Sequence, residues 1–91
     1  MILELKITDY RESQYAHSRL STRGIDKIEI YDINETDTIF MVHASKSIDI
    51  NEFKNGYIYF NFDNGKYFNS ICLNIKYIDY FRIYKENKYE D

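Results

Sequence analysis

Apolar and polar residues alternate in short segments along this chain, beginning with its first residues. From Ile2 to Thr8, aliphatic side chains at the odd positions alternate with charged or hydroxyl side chains, which is the pattern of a strand with one buried face. The segment 38–44 is apolar on both faces, which predicts a central strand. Turn residues separate the runs, as at 34–37 and 51–56. Strands are therefore predicted over Ile2–Thr8, Ile25–Ile33, Thr38–Ala44, Ser45–Ile50 (separate or a continuation), 57–62, 67–75 and about 80–85.

Asn64 and Gly65 lie between two aromatic-rich runs, which is the strongest short-range signal for a β-hairpin. Both central residues of a type I′ turn need positive φ, and Asn and Gly are the residues that favour it. With these two residues as the loop, Asp63 is expected to face Lys66 as a pair of opposite charges. This register places the apolar side chains of both strands on one face of the sheet.

The segment 9–24 departs from the strand pattern. Asp9 and Glu12 have the spacing of a capping box, and two apolar residues follow four positions apart, so a short helix over 10–20 is one interpretation. The apolar stripe is thin, and Ser and Thr side chains compete with helical hydrogen bonds. An ordered loop with one helical turn is the other interpretation, and Gly24 closes the segment in either case.

The pattern as a whole predicts a mainly β fold, or an α+β fold if residues 10–20 are helical. About six or seven short, mostly antiparallel strands would form a bent sheet, a sandwich or a barrel, with one early helix or loop insertion. A kink or bulge is predicted near 76–79, where the apolar spacing changes. The 91 residues suit a single domain, expected over 1–85, followed by a charged tail at 86–91 that frays.

Composition narrows the class of protein. The net charge of −3 provides no basic excess of the kind that nucleic-acid binders carry. Cys72 is the single cysteine, so no internal disulfide is expected and a reducing cytoplasm is predicted. Neither a signal peptide nor an apolar run long enough to cross a membrane is recognisable. Abundant Ile, Lys, Asn and Tyr with no Pro is typical of AT-rich genomes, such as low-GC bacteria and their phages.

No catalytic or metal-binding motif is recognisable in the sequence. His17 and Ser18 are neighbours, and adjacent side chains rarely form a base–nucleophile pair. The spacing between His17, His43 and Cys72 matches no common set of metal ligands. His43, within an apolar strand, is predicted to be a satisfied core or edge histidine, and Cys72, between two aliphatic residues, a small buried hydrophobic residue. Paired carboxylates occur in turns and in the tail, where nothing in the sequence raises a pKa for acid–base catalysis. The protein is therefore predicted not to be an enzyme and to hold no metal or cofactor.

The segment 11–27 collects basic and hydroxyl side chains in an otherwise acidic chain. Guanidinium groups bind phosphates and carboxylates, and hydroxyls and glycine N–H groups add short donors. The segment lacks the ordered spacing of a P-loop, and a solvated loop whose arginines pair with nearby carboxylates has the same composition. A site for a small phosphorylated or nucleotide ligand would use Arg11, His17, Arg19, Ser21, Arg23 and Lys27.

The last predicted strand carries a second candidate site. The chain has ten Tyr and no Trp, and Tyr is concentrated in the C-terminal half. If alternate residues of the last strand face solvent, Tyr80, Arg82 and Tyr84 form a row, and Tyr and Arg are enriched at binding hot spots. Two other interpretations exist: these tyrosines only cover a small core, or an edge strand self-associates into a homo-oligomer.

These segments lead to two hypotheses about function. The first is a non-catalytic small binding protein, such as a phage or mobile-element inhibitor of a host defence protein, that acts through a Tyr-rich sheet face or an edge strand. The alternative is a protein that sequesters a small phosphorylated ligand in segment 11–27. The first is favoured, because a small inhibitor or adaptor makes fewer demands on a sequence than a shaped ligand pocket.

Overall fold

Strands make up nearly all the regular structure of the computed structural model. The model describes residues 1–8, 22–34 and 37–85, and for residues 51–54 it describes the backbone alone. This part of the chain has one 3-10 turn and no α-helix, so a mainly β fold is confirmed. It contains no helix with the length and apolarity of a membrane span. The described residues do not include 9–21, where a helix over 10–20 and an ordered loop were the alternatives, or the tail at 86–91. The strands are β1 (Ile2–Ile7), β2 (Lys27–Asp32), β3 (Thr38–His43), β4 (Ser47–Lys54), β5 (Tyr57–Asp63), β6 (Phe68–Asn74) and β7 (Ile78–Tyr84).

The strands form two antiparallel sheets that pack face to face. The first sheet has the order β2-β3-β1-β7 and the second has the order β4-β5-β6. No ladder among the described residues joins the two sheets, so they are not closed into a barrel. The fold is a small sandwich, one of the three architectures expected from the sequence. β3, whose sequence is apolar on both faces, lies between β2 and β1 as the predicted central strand.

The core lies between the inner faces of the two sheets. β5 places Ile58, Phe60 and Phe62 at its centre, and all three side chains are fully buried. The rings of Phe60 and Phe81 meet edge to face with centroids 5.2 Å apart, which links β5 in one sheet to β7 in the other. Burial of each large apolar side chain contributes about 1.5–3 kcal/mol. The other buried core residues are Leu3, Leu5, Ile7, Ile25, Phe40, Val42, Ala44, Ile48, Ile71 and Leu73.

The β4–β5 connection is shorter than the sequence pattern predicted. β4 continues to Lys54, and the turn is formed by Asn55 and Gly56, which both have positive φ. The predicted turn over 51–56 is therefore wrong in its first four residues. Ile50, which alternation from the buried Ile48 would place on the inward face, is exposed, and the ladder to β5 shifts between Ile50 and Glu52. A bulge inserts one unpaired residue and redirects the side chains around it.

The β5–β6 hairpin is confirmed, but its register differs by two residues from the predicted one. Asn64 remains paired with Tyr67, so that Gly65 and Lys66 form the loop. The Asn64 side-chain oxygen accepts the N–H groups of Lys66 and Tyr67 at 3.0 and 2.8 Å, which holds Asn64 at the strand end. Asp63 consequently faces Phe68 instead of Lys66. A shift of two residues preserves the faces of both strands, so the predicted apolar face is retained.

The chain kinks before β7, as the change in apolar spacing predicted. Ile75–Tyr77 forms a 3-10 turn, and the Asn74 side chain caps it by accepting the N–H of Lys76. The ladder between β1 and β7 then shifts between Lys6 and Ile7. The extra residue in β7 is Asp79, whose carboxylate lies 2.9 Å from the Lys6 ammonium. β7 therefore begins two residues earlier than predicted and forms one edge of the four-stranded sheet.

Candidate binding surface at the β7 edge

The outer face of β7 carries the row of side chains that alternation predicted. Tyr80, Arg82 and Tyr84 lie opposite Lys6, Glu4 and Ile2 of β1 in the antiparallel ladder. Paired residues of adjacent strands project from the same face of a sheet. The three β7 side chains therefore share the outer face, with Tyr80 40% exposed and the Arg82 side chain 65% exposed. The binding role assigned to this row remains a prediction.

Glu4 holds the β7 row in place. Its carboxylate accepts the Tyr80 hydroxyl at 2.8 Å and an Arg82 N–H at 3.0 Å, while the Arg82 guanidinium lies over the Tyr84 ring at 4.8 Å. The hydrogen bonds from Arg82 and then Tyr80 lower the pKa of Glu4. The same carboxylate raises the pKa of Tyr80 and of Arg82. The row is thus ordered in advance, which reduces the conformational entropy lost when a partner binds.

No strand of the described residues pairs with the second edge of β7. Ala44 N–H donates to Met1 C=O, and hydrogen-bonded pairs alternate along an antiparallel ladder. The odd residues of β1 therefore bond to β3, and its even residues bond to β7. On β7 the partners of those even residues are Tyr80, Arg82 and Tyr84. The N–H and C=O groups of the intervening residues, Phe81 and Ile83, point to the open edge.

An apolar recess of about 400 Å³ opens beside this edge. It lies between β5 of one sheet, β7 of the other and the 3-10 turn, and its mouth includes Ile75, which is 45% exposed. Asp79 supplies a carboxylate at the rim, where it is paired with Lys6. Tyr80 belongs to both the recess and the outer row. The lining residues are Ile58, Ile75, Ile78, Asp79, Tyr80 and Phe81.

A second carboxylate cluster lies on the same outer face, at the opposite edge of the four-stranded sheet. Glu29 of β2 bonds to His43 at 2.8 Å and accepts the Tyr31 hydroxyl at 2.9 Å, with the Lys27 ammonium 3.6 Å away. The bonds from His43 and then Tyr31 lower the pKa of Glu29, and Glu29 raises that of Tyr31. His43, predicted to be a satisfied core or edge histidine, lies half-buried in this cluster.

The residues proposed for anion binding are only partly within the described chain. Arg11, His17, Arg19 and Ser21 lie outside it. Arg23 is exposed, with its guanidinium 6.0 Å from the centre of the Tyr67 ring. Lys27 borders a different, open recess of about 550 Å³ at the end of the sandwich, which Arg23 does not line. That recess is lined by Met1, Asp26, Lys27, His43, Ala44, Ser45, Lys46 and Lys85.

The single cysteine, the potential metal ligands and Lys46 are further candidate sources of chemistry among the described residues. Cys72, predicted to be buried, is half-buried on the outer face of β6 opposite Tyr59, because outer and inner residues alternate along the strand. Within 1–8, 22–34 and 37–85, no three His, Cys, Asp or Glu residues lie close enough to hold a metal ion. Lys46, in the β3–β4 turn, lies 3.6 Å from Asp63. None of these features forms a catalytic arrangement.

Sequence reasoning did not find Glu4 or the apolar recess. Glu4 lies 78 positions from Arg82 in the chain, and it has the ordinary polar place in an alternating strand. Ile75 continues the alternation of Ile71 and Leu73, so the pattern placed it in the same strand, whereas it lies in the 3-10 turn and is exposed. No protein-family model matches the chain, and no curated protein or solved structure is significantly similar to it. Function therefore has to be argued from the site alone.

Proposed function

We propose that this chain is a non-catalytic binding domain that takes an extended segment of a partner protein along β7. The observation that carries the proposal is the apolar recess of about 400 Å³, which opens directly beside a strand edge that no described strand covers. Tyr80 joins the recess to the exposed row on the outer face. An edge strand, a side-chain pocket and an ordered aromatic row lie together in this part of the molecule.

Each component has a separate part in binding an extended segment. Free N–H and C=O groups of Phe81 and Ile83 supply main-chain hydrogen bonds, as in other cases of strand addition. The recess accepts one large apolar side chain of the added strand, since alternate residues of a strand point to the same side. Tyr80 and Tyr84 provide contact area on the other side at little entropic cost. Backbone pairing gives affinity, and the recess gives specificity.

The charges around the edge define the partner segment further. Arg82 uses one of its five donors on Glu4, and its side chain is largely exposed. Lys85 follows β7 and forms no ion pair with the described residues. The rim carboxylate of Asp79 is already neutralised by Lys6. The preferred segment therefore has a large apolar residue for the recess and an acidic residue near Arg82 and Lys85.

A domain of this kind can act as an inhibitor by occupying a strand or a strand-pairing site on its target. We include in the proposal that the target is a host defence protein and that the chain belongs to a phage or mobile element. This part is supported by composition alone, because the abundance of Ile, Lys, Asn and Tyr with no Pro is typical of such genomes. The β7 site does not depend on it.

The decisive experiment compares matched variants in affinity capture from a lysate of a low-GC bacterium. Tyr80→Ala and Ile75→Asp should each lose a stoichiometric partner that the wild type retains, because Tyr80 belongs to the exposed row on the outer face and Ile75 lies at the mouth of the recess. Tyr57→Ala and Ile50→Asp should retain it, since these exposed residues lie on the other sheet. Amide exchange should also slow at Phe81 in the complex. Equal retention by all four variants, or no partner, would exclude the β7 site.

A second candidate function is supported by the open recess at the end of the sandwich. Lys27, Lys46 and Lys85 come from three separate segments and border the same concavity, as a site for a small phosphorylated ligand would require. A ligand that binds only the native state raises the melting temperature. A shift with a nucleotide that disappears in Lys46→Ala/Lys85→Ala would support this function, and a flat nucleotide screen would exclude it.

A further inference from the structure

β2 is an edge strand with an unusual distribution of apolar residues. Ile30 and Tyr31 in the second half of the strand are 55% and 51% exposed, and Ile33, just after its end, is 50% exposed. Ile28 and Ile30 lie on the face that points toward the core, yet only Ile28 packs against it. Long apolar edge strands tend to pair with another strand. Within the part of the chain that the structure describes, no strand covers the outer edge of β2, which makes it a second candidate surface, separate from β7.

The hairpin bond between Ile33 and Asp37 fixes which backbone groups of β2 are free. Ile33 N–H donates to Asp37 C=O at 3.0 Å, in the same register as the β2–β3 ladder. Because bonded pairs alternate, the odd residues of β2 bond to β3. The N–H and C=O groups of Ile28, Ile30 and Asp32 therefore point to the open edge.

We propose that a second copy of this chain pairs with β2 in antiparallel orientation, with the twofold axis at Ile30. Ile30 then lies opposite Ile30 of the second copy, and Ile28 lies opposite Asp32. These are the residues with free backbone groups, so each of them enters a doubly hydrogen-bonded pair, about six bonds in all. On the outer face, Glu29 lies opposite Tyr31 of the second copy. Tyr31 already donates to Glu29 within one chain, so the pair is chemically matched.

Neighbouring registers are less favourable. An axis at Glu29 places two glutamates directly opposite each other, which is destabilising. An axis at Tyr31 leaves Ile30 opposite Asp32 and separates the two Ile30 side chains. The axis at Ile30 is the one that brings the exposed isoleucines together without opposing like charges. Pairing of this kind is isologous, as expected for a closed dimer.

The edge strand β6, which carries no charged residue, is a weaker candidate. Its inward side chains Ile71 and Leu73 are already buried, and the large apolar side chain it exposes is Phe68 at its end. Pairing along β6 would therefore cover little additional apolar surface. In β7 the bulge at Asp79 confines the regular edge to 80–84, where the N–H and C=O groups of Phe81 and Ile83 point outward, so an identical strand would form about four bonds there instead of about six at β2. The apolar exposure in β2 favours self-association there.

The test is the association state of the purified protein over a range of concentrations. Sedimentation velocity should show a reversible dimer. Ile30→Lys should weaken dimerisation by about tenfold or more, because it opposes two charges at the axis. Ile30→Pro should do the same, since it removes an edge-facing donor and Pro is tolerated on edge strands. Ile50→Lys, a matched change of an exposed isoleucine on the other sheet, should dimerise like the wild type.

Amide exchange separates a second copy from other occupants of the edge. In the dimer, the N–H groups of Ile28, Ile30 and Asp32 should become more protected as the protein concentration rises. Protection that is independent of concentration would assign the edge to another segment of the same chain and overturn the proposal. A monomer at all concentrations, or dimerisation unchanged in Ile30→Lys and Ile30→Pro, would also overturn it. The β7 site is not involved in any of these readouts.

Discussion

Gly24 is the position at which a single added methyl group has the most clearly defined consequence. It has a φ of +80°, and a Cβ built there would lie 2.5 Å from the Phe62 carbonyl oxygen and 3.1 Å from the Asn69 nitrogen. Both contacts are with the backbone of paired strands, β5 and β6, which cannot rotate away as a side chain could. Gly24→Ala therefore has to displace either the segment before β2 or the β5–β6 pair.

The expected loss of unfolding free energy in Gly24→Ala is the sum of a conformational and a steric contribution. An L-residue in the left-handed region costs about 1–2 kcal/mol. Forcing a methyl group into a closely packed site adds about 1–3 kcal/mol. The free energy of unfolding should therefore fall by about 2–5 kcal/mol, in a protein whose total is expected near the low end of about 5–15 kcal/mol.

Gly56 provides the matched control. Its φ is +78°, almost the same as at Gly24, but no heavy atom lies within 4 Å of its ideal Cβ. Gly56→Ala should therefore incur the conformational contribution alone, about 1–2 kcal/mol. The difference between the two variants isolates the close approach of Gly24 to Phe62.

Urea unfolding followed by far-ultraviolet circular dichroism measures both variants under the same conditions. Equal slopes with denaturant would show that the same surface is exposed in each case. Gly24→Ala should lose about 1–3 kcal/mol more than Gly56→Ala, which corresponds to roughly 4–8 °C in melting temperature for each kcal/mol. Equal losses would refute the steric reasoning, and with it the close packing of the segment before β2 on the β5–β6 pair.

Two further predictions concern the core and the Glu4 cluster. Phe60→Leu should reduce the free energy of unfolding by about 1–2 kcal/mol, measured by urea unfolding, because it removes the edge-to-face contact with Phe81; an unchanged midpoint would contradict that contact. The pKa of Glu4 is lowered in the folded state from 4.5, so its stabilisation is present above pH 4.5 and is lost as the pH falls through the folded value. In Glu4→Gln the melting temperature should therefore fall less steeply as the pH is lowered below about 4.5. The same steep fall in the variant would show that the bonds from Arg82 do not contribute to the stability.

The two proposed interaction surfaces lie at opposite edges of the four-stranded sheet. Pairing through β2 would join two such sheets into one, with both β7 edges at the outer ends. A dimer of this kind would present two copies of the β7 site to a partner. Linked sites raise the apparent affinity for a partner that is itself multivalent.

The sequence alone determined the local features of this fold. Alternation in Ile2–Ile7 specified a strand with a buried odd face, because the period of two is a property of the extended backbone. The same reasoning placed Tyr80, Arg82 and Tyr84 on one face of β7, and the Asn-Gly pair at 64–65 located a hairpin. The change in apolar spacing located the kink before β7. Each of these features depends on residues close together in the chain.

Tertiary structure decided the division into two sheets, the register of the hairpin and the composition of the β7 site. Asn64 could have been a loop residue or a strand end, and its side-chain bonds to Lys66 and Tyr67 settled the register. Glu4 and Arg82 meet only because β1 pairs with β7 across almost the whole chain. The recess beside β7 forms where the 3-10 turn leaves a gap between the sheets. Alternation specifies the face of each residue but not the strand that covers it, so such contacts could not be predicted from local pattern.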